Sequence, residues 1–129
     1  MENVKKVLVL KQITEGYALL GKTISGIARV ETESIVCSLH LSLINVALCE
    51  GGSFYLFFID GSNKVLSFDL GALPTNFSVT LPEIPDVENG FSLGVCLVKD
   101  DIPLLISFAS CDKKGKNVTE FRKCGVDKC

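Results

Sequence analysis

The sequence lacks a long apolar run, an excess of charge of one sign and an extended polar region, and each absence excludes a class of protein. Its longest apolar runs, Val7–Leu10 and Phe54–Ile59, are far shorter than the ~20 residues of a membrane-spanning helix, so we expect no membrane partner. The 13 basic and 15 acidic side chains give a net charge of −2, which leaves no chain-wide basic surface for nucleic acid. With 47% hydrophobic and 22% charged residues, the 129-residue chain is expected to form one well-packed globular domain.

A secretory signal is also missing. Within Met1–Gln12 the apolar stretch has only four residues and is closed by Lys11, whereas a signal peptide needs a longer apolar region and a cleavage site. We therefore expect a cytoplasmic protein. The six cysteines leave an alternative open, because an even number in a small chain also fits three disulfides in an exported domain. Three lie in apolar segments and three in or beside the polar C-terminal region: Cys37, Cys49 and Cys96, and Cys111, Cys124 and Cys129.

Apolar and polar side chains alternate along most of residues 1–110, which is typical of half-buried β-strands. Turns rich in glycine, aspartate and proline separate these segments, and none of them has a convincing helical pattern. In the last segment, Leu104, Ile106 and Phe108 are expected to share one face. The predicted strands are Val4–Lys11, Ile24–Glu31, Ile35–Leu43, Phe54–Ile59, Lys64–Leu70, Phe77–Leu81, Phe91–Val98 and Leu104–Ala109. About eight short strands predict an all-β domain, an antiparallel β-sandwich of Greek-key or jelly-roll type.

Residues 111–129 differ in composition from the rest and are interpreted as a polar basic tail or linker. They contain six basic side chains against three acidic ones, a net charge of +3, which leaves −5 for residues 1–110. Apart from cysteines, their apolar side chains are Val118, Phe121 and Val126, so the segment can bury little surface. We expect a solvated tail whose deletion changes the melting temperature little. A basic binding arm is the alternative.

One motif suggests a different function. Residues 16–23, GYALLGKT, fit the pattern GxxxxGK[ST] of a phosphate-binding loop, in which Lys22 would contact phosphates and Thr23 would bind magnesium. The apolar run that ends at Asp60 resembles the strand whose aspartate holds the metal. Such a loop must lead into a helix, yet Ile24–Glu31 is interrupted by glycine and favours a strand. A β-connection with two turn glycines is the favoured interpretation, and a nucleotide-binding protein is the alternative.

The remaining polar residues form no pattern that indicates catalysis or metal binding. His40, the one histidine, lies on the polar face of a predicted strand, and the chain has no GxSxG nucleophile motif. Cys124 and Cys129 are spaced too widely for a typical zinc pair. Residues 60–63, DGSN, lack the acidic spacing of a calcium loop and predict a hairpin turn. We expect no enzyme activity, no catalytic or metal-ligating residue and no cofactor.

Four segments of the sequence carry a family resemblance. They read GYALLGKTISGIARVE, LHLSLINVAL, FYLFFIDGSNKVLSFDLG and LPEIPDVENGF. Together they resemble the N-terminal β-domain of a group of uncharacterised clostridial proteins, over roughly residues 1–110. The resemblance implies a bacterial β-domain that a charged linker connects to a second domain. It implies no activity, so it assigns no functional residue.

The segment Phe54–Ile59 is the most informative one for function. Two sets of side chains alternate along it: Phe54, Leu56 and Phe58, and Tyr55, Phe57 and Ile59. Both faces are thus apolar, whereas an antiparallel sheet normally exposes a polar face. The second set is covered either within the chain, by Ile13–Leu20, or by a protein partner or second copy with aromatic anchors. The predicted function is a non-enzymatic interaction module with Tyr55, Phe57 and Ile59 as its binding residues.

Overall fold

The computed structural model describes residues 4–111 and 117–124 of the chain. Eight β-strands fill most of this range, and a short helix follows them. The strands are β1 (Val4–Gln12), β2 (Ser25–Glu33), β3 (Val36–Ile44), β4 (Ser53–Ile59), β5 (Val65–Gly71), β6 (Asn76–Thr80), β7 (Ser92–Lys99) and β8 (Ile102–Ser110), and the helix is α1 (Val118–Cys124). In this part of the chain, no helix has the length and hydropathy needed to cross a membrane.

All eight strands belong to one sheet with the order β5-β4-β7-β8-β1-β2-β3-β6, and each pair is antiparallel. β1 pairs with β8 only at the C-terminal end of β1, where Lys11 lies opposite Phe108 and Gln12 lies opposite Ser107. The edge strands β5 and β6 approach each other through Phe68 and Phe77, whose ring centroids are 5.6 Å apart. The prediction of an all-β domain with about eight strands is confirmed. A sandwich of two sheets is not confirmed, because the pairing runs unbroken through a single, nearly closed, barrel-like sheet.

The main core lies inside this sheet and is built from the inward-facing side of the strands. On β3 every second side chain is buried: Cys37, Leu39, Leu41 and Leu43. This burial agrees with the alternation of apolar and polar side chains along the predicted strand Ile35–Leu43, with one exception among its alternate apolar positions. Ile35 lies in the β2–β3 turn after Ser34, whose φ of 57° reverses the chain, and the Ile35 side chain is 80% exposed.

A bulge in β8 changes which of its residues face outward. The pairing of β7 with β8 shifts between Val95 and Cys96, so that Ile106 becomes an extra residue in β8. Ile106 belongs to the main core, whereas Phe108 lies in a second cluster on the outer side. The expectation that Ile106 and Phe108 share a face is therefore wrong, because a pattern of strict alternation cannot reveal an inserted residue.

α1 begins with reciprocal hydrogen bonds between two side chains and the backbone. The Asn117 side chain accepts a hydrogen bond from the Glu120 N–H at 2.9 Å, and the Glu120 carboxylate accepts one from the Asn117 N–H at 3.4 Å. Glu120 in the first turn and Arg122 and Lys123 in the last turn also complement the helix dipole. These local signals explain why a helix forms here, although the segment is mostly polar.

The described part of the predicted tail is packed against the sheet. Phe121 is fully buried, and Val118 is partly buried beside it. At residues 117–124 the structure thus differs from the expected solvated tail, because one aromatic side chain finds a matching recess on the outer side of the sheet. The other residues of the predicted tail, 112–116 and 125–129, lie outside the described residues.

Candidate protein-interaction site

A second apolar cluster lies on the outer side of the sheet, separate from the main core. The neighbouring strands β4, β7 and β8 form its floor, and α1 covers it. Its buried members are Phe57, Ile59, Cys96, Leu105 and Phe121, and Tyr55, Phe108 and Val118 are partly buried around them. None of these side chains is a carboxylate, an amine or an imidazole. The cluster is apolar apart from the Tyr55 hydroxyl and the Cys96 thiol.

The three residues predicted for protein binding all belong to this cluster. Tyr55, Phe57 and Ile59 face outward on β4 because successive side chains of a strand alternate. Phe57 is 4% exposed and Ile59 is 0% exposed. The Ile13–Leu20 segment was expected to cover this face, but the cover within the chain is α1. Residues 13 and 14 hydrogen-bond to the backbone of β8, and residues 17 and 19 hydrogen-bond to residues 45–47 at one end of the sheet.

Gly94 forms the recess that receives α1. In the strand pairing it lies on β7 directly between Phe57 of β4 and Phe108 of β8. A Cβ atom at position 94 would lie 2.6 Å from Cε2 of Phe121 and 2.7 Å from Cδ1 of Leu105, closer than real Cβ contacts. The Phe121 ring fills this space and meets Phe108 edge-on, with centroids 5.1 Å apart. A glycine inside an apolar strand signals such a close approach, so position 94 carries a sequence signal for this recess.

Residues 16–23, which fit the phosphate-binding pattern, form an irregular connection between β1 and β2, in agreement with the favoured interpretation of a β-connection. Residues 16–23 form no helix, and a β-strand follows them. Gly16 and Gly21 have φ values of 99° and 74°, which are turn conformations that suit glycine. Lys22 and Thr23 are exposed. The helix N-terminus that would bind a phosphate does not follow this connection.

Asp60, which would hold magnesium in the nucleotide-binding alternative, lies at the other end of the sheet. The motif hydrogen-bonds to residues 45–47, which precede β4, whereas Asp60 follows β4. The Asp60 carboxylate accepts hydrogen bonds from the backbone N–H groups of Ser62 and Lys64, each at 2.9 Å. Asp60 therefore closes the β4–β5 turn, and the structure does not bring it together with Lys22.

Other polar residues singled out in the sequence have structural partners. His40 Nδ1 lies 2.9 Å from Ser78 Oγ on the outer side of the sheet. Asp86 accepts hydrogen bonds from the Asn89 side chain and the Ser62 hydroxyl, and these bonds, Asn89 first, hold the pKa of its carboxyl below its usual range. In the described part of the chain, no three His, Cys, Asp or Glu side chains are grouped closely enough to hold a metal ion.

The described cysteines are not arranged as a three-disulfide framework. Cys37 and Cys49 are free thiols. Burial raises the pKa of the Cys37 thiol, so this side chain stays protonated and packs as a small apolar group. Cys129 lies outside the described residues, as does the side chain of Cys124, and the structure does not describe their spacing.

The interpretation of the α1-covered face rests on its geometry. No family model, no curated protein and no solved structure matches the chain.

Proposed function

We propose that the protein is a non-enzymatic interaction module of the bacterial cytoplasm that binds an amphipathic helix of a protein partner. The binding surface is the outer face of β4, β7 and β8 around Tyr55, Phe57 and Ile59. The observation that carries the proposal is the Phe121 ring seated above Gly94, since it demonstrates a recess shaped for one aromatic anchor. α1 occupies this surface in the folded chain, so a partner helix binds by replacing α1.

α1 is a weak occupant of this surface. It has seven residues, and isolated helices shorter than about 12–15 residues are marginal in water. Among its described side chains, only Phe121 is buried. A longer partner helix with the same anchor, and with further apolar side chains three and four residues away, buries more surface and displaces α1 by mass action.

Three observations support the cytoplasmic, bacterial and non-enzymatic parts of the proposal. The free thiols of Cys37 and Cys49 fit a reducing compartment such as the cytoplasm. The resemblance to clostridial β-domains supports a bacterial origin and carries no enzyme activity. The nucleotide-binding alternative has no geometric support, because Lys22 and Asp60 lie at opposite ends of the sheet. Calorimetry should detect ATP binding neither to the wild type nor to Lys22→Ala.

A labelled peptide tests helix recognition in the full chain. The peptide comprises residues 112–129, and its binding is followed by fluorescence anisotropy. We expect the Phe121→Ala chain to bind it at least about tenfold more tightly than the wild type, because the recess above Gly94 is then open. The control is Leu20→Ala, which removes a fully exposed leucine from the β1–β2 connection and should behave like the wild type.

A second peptide, in which Phe121 is replaced by alanine, tests the anchor itself. It should bind to none of the three chains, because a short helix without its aromatic side chain has little apolar surface to bury. Equal binding of the two peptides would contradict recognition at this face. Absence of binding to a Phe121→Ala chain that circular dichroism shows to be folded would contradict it as well.

A further inference from the structure

Four exposed aliphatic side chains form a stripe across the outer side of β1, β2 and β3. The members of this aliphatic stripe are Val7 and Val9 of β1, Ile27 of β2 and Ile44 of β3, and each is more than half exposed. In the strand pairing Val9 lies directly opposite Ile27, whose partner on β3 is Ser42. Ile44 follows Ser42 on the same side of β3. Single exposed apolar residues are common on protein surfaces, whereas these four are neighbours on one face.

The described part of the chain leaves the aliphatic stripe uncovered. α1 lies over β4, β7 and β8, and with α1 in place Val7 is still 58% exposed and Val9 57% exposed. The opposite side of β1 is already used by the fold, because Leu8 and Leu10 are buried in the main core. The stripe is therefore additional apolar surface that the packing of the sheet does not require.

Basic side chains flank the aliphatic stripe on both sides. Lys11 lies on one side, at the level of Ile44 and two strands away from it. Arg29 lies on the other side, directly opposite Val7. Lys11 makes no ion pair with any described residue. The Nε atom of Arg29 is 2.8 Å from the Glu31 carboxylate, and the Nη atoms of its guanidinium carry further donors. The stripe thus combines an apolar centre with positive charge along both flanks.

We propose that the aliphatic stripe binds an acidic amphipathic helix of a partner protein. With about 4.8 Å between strands and about 3.3 Å per residue along a strand, the distance from Val7 to Ile44 is about 16 Å. This distance equals about three turns of an α-helix, on which apolar side chains at every third or fourth position form a matching row. Acidic side chains on both sides of that row then lie against Lys11 and Arg29. The stripe shares no residue with the α1-covered face, so this inference does not depend on helix binding there.

Charge argues against an occupant from this protein itself. Residues 111–129 carry a net charge of +3, so the C-terminal segment of the chain would bring like charges to Lys11 and Arg29. A second copy that used the same surface would bring two basic surfaces together, because a twofold interface joins identical patches. An acidic partner meets neither conflict.

The charge of the whole domain favours a protein partner over an anionic membrane. Residues 1–110 carry a net charge of −5, so an anionic lipid surface repels most of the domain. A single helix contacts only the stripe and its basic flanks. The stripe also lacks tryptophan, tyrosine and phenylalanine, and aromatic side chains are the typical anchors at a membrane interface.

Two synthetic helical peptides test the charge complementarity on the full chain. The first has leucine at every third or fourth position and glutamate on both sides of the leucine row, and the second has lysine in place of each glutamate. Fluorescence anisotropy measures both affinities. We expect the wild type to bind the glutamate peptide at least about tenfold more tightly than the lysine peptide. Added salt should reduce this difference, because exposed charges are screened.

Variants of exposed residues test whether binding occurs at the aliphatic stripe. Val9→Thr combined with Ile27→Thr removes apolar groups from the centre but keeps β-branched side chains, and it should weaken binding of the glutamate peptide at least about tenfold. Lys11→Glu should weaken it at least about fivefold. Val36→Thr and Lys99→Glu are the matched controls, since they make the same changes at exposed positions away from the stripe. Both controls should bind like the wild type.

Several results would overturn the proposal. They are no binding of the glutamate peptide, equal binding of the two peptides, or equal effects of Lys11→Glu and Lys99→Glu. Displacement of the glutamate peptide by an excess of the 112–129 peptide would assign its binding to the α1-covered face. Binding of the wild type to phosphatidylglycerol vesicles, without binding to the glutamate peptide, would assign the stripe to a lipid surface. Failure of helix binding at the α1-covered face would leave the inference intact, because the two sites are separate.

Discussion

The Phe121 ring occupies the place where any residue other than glycine at position 94 would put its side chain. Cε2 and Cζ of the ring lie 2.6 and 2.9 Å from an ideal Cβ at that position. Gly94 belongs to β7 and Phe121 to α1, so a single residue of the sheet determines whether the helix can dock. This dependence makes the pair a direct test of how the outer face is covered.

Gly94→Ala should therefore destabilise the protein by displacing Phe121. We expect a loss of about 1–3 kcal/mol in the free energy of unfolding, since overpacking a tight site has that cost. In a Phe121→Ala background the same substitution should cost less, because the two close contacts with the Phe121 ring are removed and the contact with Leu105 remains. Urea denaturation of the four chains of this double-mutant cycle gives the coupling energy.

The double-mutant cycle can also contradict the docking of α1 over Gly94. Equal effects of Gly94→Ala in both backgrounds would mean that α1 does not lie over Gly94 in solution. Limited proteolysis offers an independent measurement, because a displaced α1 exposes the bonds after Arg122 and Lys123 to trypsin. Cleavage there should be faster in Gly94→Ala than in the wild type.

Phe57→Glu tests the cover of the predicted binding face by changing the sheet instead of the helix. Phe57 is 4% exposed beneath α1, so a glutamate at this position buries a charge unless the helix leaves. We expect a lower melting temperature and faster cleavage in α1, measured by calorimetry and by proteolysis. Ser67→Glu, on the exposed face of β5, is the control and should change neither. An unchanged melting temperature for Phe57→Glu would show that this face is not covered within the chain.

Leu39→Ala and Val36→Ala compare the two faces of β3. Leu39 is 0% exposed in the main core, and we expect its truncation to cost roughly 2–5 kcal/mol. Val36 is 45% exposed on the outer side, and its truncation should change the free energy of unfolding by less than about 0.5 kcal/mol. Chemical denaturation of both variants measures the difference. Equal costs would reverse the assignment of the inner and outer faces.

The Asp86 carboxyl should titrate below its usual range. Its pKa is lowered first by the Asn89 side chain, so the ionised form stabilises the folded state at pH values above the unfolded-state pKa. This contribution is lost as the pH falls through the folded-state pKa. Asn89→Ala should move the pKa of Asp86 upward in an NMR titration, whereas Asn76→Ala, at a distant strand, should leave it unchanged. A pKa of Asp86 that does not respond to Asn89→Ala would contradict this assignment.

Residues 4–111 show how much of a β-fold follows from local pattern. The alternation in β3 predicted which of its residues are buried, because a strand turns successive side chains to opposite sides. The two apolar faces of β4 likewise predicted that something must cover Tyr55, Phe57 and Ile59. Alternation carries no information about inserted residues, which is why the bulge at Ile106 was missed.

The identity of the cover could not be predicted for a different reason. Phe121 stands alone in a polar segment, and a single aromatic residue produces no helical pattern that a sequence can reveal. Its burial depends on the gap at Gly94, which lies on another element and between two phenylalanines of neighbouring strands. The complementarity exists only once β4, β7 and β8 are side by side.

The sequence by itself determined the strands, their inner faces and the need to cover β4, since these depend on the alternation of residues close together in the chain. The tertiary structure alone decided that the strands form one sheet, because this depends on the short pairing of β1 with β8 across most of the chain. It also decided that α1 covers β4 and that β5 and β6 end the strand order. Such relationships arise from contacts between distant segments, which local periodicity does not encode.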